Sequence, residues 1–137
     1  MDQATHEAAA QEKFIDEAIR AAVLVALVDG IISQLEIETL QDIAAGLLGR
    51  EVERDEIGRL CSIAGQNKIE ACNYVLTVSK RWNQPQRVQA LQAMFLAATA
   101  EGKPSDVKIK TLAKMQKLLD LTDREYEQAI EATLREV

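Results

Sequence analysis

The chain has 137 residues, 47% of them hydrophobic and 28% charged, with a formal net charge of −6 at neutral pH. That length fits one domain with a substantial core, and few aromatics among abundant Ala, Leu, Ile, Glu and Gln select helices over strands. The negative balance argues against a dedicated nucleic-acid binder, and the longest apolar run, Ala21 to Val28, is far shorter than the roughly 20 residues a spanning helix needs.

Residues 1 to about 10 are polar and Ala-rich, a frayed helical lead-in. The first helix carries Phe14, Ile15, Ala18, Ile19, Ala22, Val23, Ala26 and Leu27 at three-to-four spacing; Leu24, Val25 and Val28 make its last two turns apolar all round, so that end belongs at the centre of a bundle. An acid and a glycine, Asp29-Gly30, stop it abruptly. Ser33 then starts a second helix as its N-cap, with Glu36 at the third helical position to close a capping box, and Leu35, Leu40, Ile43, Ala44, Leu47 and Leu48 inward before Gly49 ends it.

A shorter amphipathic helix runs from Glu51 to about Ala64, and Gly65-Gln-Asn67 breaks the pattern. Ile69, Cys72, Val75, Leu76, Ser79 and Trp82 mark a linking helix over about 67–82. Asn83-Gln-Pro85 is a capped restart with proline in the first turn, where its missing N–H costs nothing. The helix that follows leaves through Glu101-Gly102 and restarts at Ser105, with Leu112, Met115, Leu118 and Leu119 inward beyond the corner. Thr122 and Glu125 cap a last helix bearing Tyr126, Ile130 and Leu134.

The second corner repeats the grammar of the first. Leu24/Leu96, Gly30/Gly102, Ser33/Ser105, Ile37/Ile109, Leu40/Leu112 and Leu47/Leu119 all pair at an offset of about 72 residues. The expected fold is therefore all-α, a compact bundle of about seven helices with an internal pseudo-twofold repeat. The single domain spans 1–137, with helix–corner–helix units over about 14–64 and 85–134.

Asp29, Ser33 and Glu36 form the one constellation with chemistry in it, and two readings stand side by side. In one, Ser33 and Glu36 are a capping box and Asp29 accepts backbone N–H groups. In the other, the two carboxylates hold a divalent cation, Ca²⁺, Mg²⁺ or Mn²⁺, with backbone carbonyls and water; a full calcium loop is excluded because Val25 and Leu27 stand where further acids belong. At the second corner Lys108 replaces the glutamate and is placed to neutralise Glu101, so at most one divalent site per chain is expected.

Ala26-Leu-Val-Asp29-Gly30-x-x-Ser33-x-x-Glu36-x-x-x-Leu40 resembles the signature of the TerB-like proteins, the tellurite-resistance-associated helical family, and the second corner matches it in part. The resemblance covers about Phe14 to Ile130 and implies a hard divalent cation at the first corner. It also implies a non-catalytic adaptor in a stress- or membrane-associated complex. A metal-dependent hydrolase using Asp29, Glu36, Glu38 and Asp42 is the alternative, though Glu36 and Glu38 point about 200° apart on a helix; a purely structural interaction protein is a third.

Lys103, Lys108, Lys110, Lys114 and Lys117 are the expected patch for an acidic protein partner or an anionic membrane surface. Nucleic acid is not an expected partner, because no aromatics interleave with these lysines. His6, the single histidine, lies in the lead-in and supports no catalytic set; no enzyme activity is expected. Cys61 and Cys72 match no ligand or redox spacing and read as free thiols in a reducing compartment. With an acidic N-terminus and no secretory pattern, the expected location is the cytoplasm, compatible with peripheral membrane contact.

Overall fold

In the structure, a computed structural model, the backbone of residues 3–30 and 32–135 and the side chains of residues 6–30 and 32–135 are described. The parts of the single-domain expectation that fall on residues 1, 2, 31, 136 and 137 lie outside them. Seven α-helices and no strand occur among the described residues: α1 (Gln3–Ala26), α2 (Gln34–Asp42), α3 (Arg54–Asn67), α4 (Ala71–Val78), α5 (Gln84–Ala98), α6 (Asp106–Leu118) and α7 (Asp123–Arg135). None is long and apolar enough to cross a membrane.

The greasy end of α1 is central, as its pattern requires: every residue from Ala21 to Ala26 is buried. It packs most extensively on α5, which buries Ala90, Leu91, Ala93, Met94, Ala97 and Ala98. The alanines on both helices leave short side chains between the axes, and Val23, Val25, Leu91 and Met94 fill the remaining space. The other helices wrap this pair, with α7 against α5 and α4 against both α1 and α6.

Local chemistry sets several helix starts. Ser33 with Glu36, Asn83 with Gln86, and Thr122 with Glu125 each make the reciprocal pair of a capping box. Farther along α1, buried Glu17 accepts the Trp82 indole N–H at 3.1 Å and pairs with Arg81, while Phe14 meets the Trp82 ring edge-on at 5.3 Å. Arg50 fastens the α2–α3 connection to Glu12 and Asp16 of α1.

Several expectations change. The lead-in is helical as expected but is a regular part of α1 from Gln3 instead of frayed, and α3 continues through Gly65 to Asn67, ending where Lys68 adopts a left-handed φ of 51°. A lone helical glycine costs only about 1 kcal/mol relative to alanine and did not suffice to break α3. The linking helix is shorter than drawn: Ile69 precedes α4, and Ser79–Arg81 is a 3₁₀ turn. Before Gly49, the end of the second helix widens into a π turn over Ile43–Leu47. Leu35, expected inward, is 49% exposed, and Leu134 is 60% exposed.

A buried lysine between two corners

The first corner is built by α1 running out of helix. Leu27 N–H still bonds the Val23 carbonyl at 3.0 Å, Gly30 N–H returns to the Leu27 carbonyl at 2.9 Å, and Gly30 takes φ +103°, a conformation that favours glycine. At the second, Gly102 has φ +98° and its N–H returns to the Thr99 carbonyl at 3.0 Å. Ser105 then caps α6 by accepting the Lys108 N–H at 3.3 Å.

The two corners pack against each other, and Lys108 joins them. Its Nζ donates to Glu36 Oε2 at 2.9 Å and lies 3.6 Å from Asp29 Oδ2. The Ser105 hydroxyl also donates to Asp29 Oδ2, at 3.4 Å. Glu36 uses its other oxygen, Oε1, to accept the Ser33 N–H at 3.1 Å, so the same carboxylate closes the α2 cap and holds the lysine. The Glu36 side chain is 3% exposed and that of Lys108 7%, whereas Asp29 reaches solvent at 35%. Burial pulls the Lys108 pKa down, but the hydrogen bond and charge of Glu36, joined by Asp29, outweigh it and leave it above the ordinary 10.5.

This geometry redirects the expected Lys108–Glu101 pair. Glu101 is exposed and solvated, while Glu36 is buried and needs a counter-charge, so the ammonium crosses to the other corner. It also takes Lys108 out of the surface patch, leaving Lys103, Lys110, Lys114 and Lys117 exposed.

The donors around Asp29 do not fit a resident divalent ion. Calcium takes about six to eight oxygens and magnesium demands near-octahedral coordination. Here Ser33 Oγ accepts the Glu36 N–H at 3.1 Å, both Glu36 oxygens have donors, and an ammonium stands beside the two acids. Among the described residues, no group of three or more His, Cys, Asp or Glu could hold a metal ion. Glu38 and Asp42 of the hydrolase alternative are exposed, and Asp42 borders a different hollow, beside Gly46 and Gln92.

Next to the corner lies an apolar groove with no counterpart in the sequence expectations. Gly30, Cys61 and Val107 line a hollow of about 640 Å³ with Leu27 and Thr111. It shares Leu24, Ala64 and Ile69 with a second hollow of about 230 Å³ that reaches Arg20 and Tyr74. Ile63, Ile69 and Val107 stand exposed along its walls. Cys61 and Cys72 are free, half-buried thiols; burial raises both, with Glu36 adding to the rise at Cys61. At Cys72 Glu70 raises it further and Lys114 opposes the rise.

No curated protein and no solved structure matches the chain. The family model described as Tellurite resistance protein TerB matches residues 16–131, from the middle of α1 into α7 and across both corners. The chain belongs to the TerB family.

Proposed function

We propose that the chain is a non-catalytic docking module that receives an acidic, amphipathic helix of a partner protein in the groove between α3, α4 and α6, within a stress- or membrane-associated complex. The observation that carries this reading is a pair of adjoining hollows lined mainly by apolar side chains, with two cations against one acid among the lining residues. Leu24, Ala64 and Ile69 line both hollows, Arg20 borders one and Lys68 the other, and Glu70 is the one acid among the lining residues. Lys110 and Lys114 are exposed on α6, the helix that contributes Val107 and Thr111 to the wall. An apolar trough between helices suits a helix presenting side chains at i, i+3, i+4 and i+7, and the flanking cations select acidic residues beside that stripe.

The test uses two synthetic amphipathic helices with the same leucine face, one flanked by glutamates and its twin by lysines. Methyl resonances of Ile63 and Ile69 should shift with the acidic peptide. Its affinity should fall roughly tenfold between low and high salt as screening takes hold, and Ile69→Asp should abolish binding. Equal response to the basic twin, or binding to anionic phosphatidylglycerol vesicles with no response to the peptide, would refute the groove and return the lysines to a membrane role.

A further inference from the structure

We propose that Lys108 is the resident cation of the Asp29–Glu36 corner, and that divalent ions bind there only when its ammonium is absent. Two carboxylates brought to one side of a buried contact repel each other unless a positive charge intervenes. An ammonium on a tether supplies it at 2.9 Å from Glu36 and 3.6 Å from Asp29. Because the tether is the chain itself, its effective concentration far exceeds that of a dissolved ion. A metal would have to displace a buried lysine, leave that charge without its partner, and recover only two carboxylates.

Lys108 and Glu36 are 72 residues apart, the offset at which the two corner sequences pair. The lysine thus stands where a second copy of the first corner would place a glutamate. With glutamate at both positions, the contact would gather three carboxylates, a set suited to a hard cation. One residue separates the two designs. The corner also borders the docking groove through Gly30, Cys61 and Val107, so the end of that groove is held without an exchangeable ion.

Calorimetry and thermal shift on the full chain with CaCl₂, MgCl₂ or MnCl₂ should show no response that depends on Asp29. Lys108→Ala and the milder Lys108→Gln should each gain a single divalent site at ~1 mM or tighter, the weak end of protein calcium sites, and adding Asp29→Asn should remove it. Should both variants unfold, the native chain decides alone: substoichiometric Mn²⁺ should leave the amide signals of Gly30, Ser33 and Lys108 unbroadened. A native-chain binding event lost in Asp29→Asn, Mn²⁺ broadening centred on the corner, or a folded Lys108 variant with no gain in divalent affinity would each overturn the proposal.

Discussion

Replacing Lys108 with methionine tests how much stability the contact between the corners carries. The change keeps the length of the side chain and removes the charge. It strands the Glu36 carboxylate, 3% exposed, with the Ser33 N–H as the partner that remains. Removing one member of a buried ion pair costs about 3–5 kcal/mol. Asp29 is 35% exposed and can rehydrate, so the lower end applies, about 3 kcal/mol. For a domain of this size that corresponds to a fall in Tm of about 10 °C and, with a slope of about 2 kcal/mol per molar, to about 1.5 M in the urea midpoint. Glu36→Gln alone should also destabilise, because its single amide oxygen can accept from Lys108 or from the Ser33 N–H but not from both. The double variant should be better than additive by about 2 kcal/mol, the signature of one shared contact. By contrast, charge removal at the exposed Arg135–Glu131 pair, 3.6 Å apart, should leave the midpoint unchanged. A Lys108→Met variant within 0.5 kcal/mol of the native chain, or additive single effects, would refute this account.

Two further outcomes follow from the same structure. The Lys108 pKa is raised on folding, so the stability it supplies is fully present below the ordinary value of 10.5 and is lost as pH climbs through the higher folded value; the stability gap between native chain and Lys108→Met, followed by urea unfolding, should be flat near neutrality and close only above about pH 10.5, and closure already near pH 8 would contradict it. Arg87 donates to the backbone carbonyls of Ser79 at 3.0 Å, Trp82 at 3.2 Å and Leu119 at 2.9 Å, and the Ser79 carbonyl also accepts the Trp82 N–H, so Arg87→Met should cost about 2 kcal/mol by taking their donor from the Trp82 and Leu119 carbonyls, with Arg87→Lys recovering only part of it in the same assay.

What could be anticipated from residues alone was what neighbours in sequence decide. The Ser33, Asn83 and Thr122 caps need only a side chain and a partner three residues on, and all three form. The burial of Ala21 to Ala26 followed from an unbroken apolar circumference. The Lys108–Glu36 contact depends on two distant corners meeting, and Glu101 was the acid nearer in sequence; the available clue was that Lys108 and Glu36 occupy matching places in the paired corners. Gly65 misled for a related reason, because helix continuation was decided by i→i−4 bonding through Asn67 and by the left-handed turn at Lys68. Arg87 is one basic residue among many in sequence, and only the fold gathers carbonyls from two segments, the Ser79–Trp82 turn and the end of α6, around it.

The incomplete cap at the second corner then has a physical reason. At the first corner Glu36 serves two donors, the Ser33 N–H with one oxygen and Lys108 with the other. At the second, Ser105 caps the Lys108 N–H, but lysine cannot accept from the Ser105 N–H as a glutamate could, so one half of the reciprocal box is given up. That half is worth no more than about 1 kcal/mol. A glutamate at position 108 would restore it and set a second carboxylate against buried Glu36, with Asp29 close by, at a cost of several kcal/mol unless a proton or metal intervened. The larger quantity decides: α6 forgoes the better cap, and the buried Glu36 carboxylate has its counter-charge without help from solution.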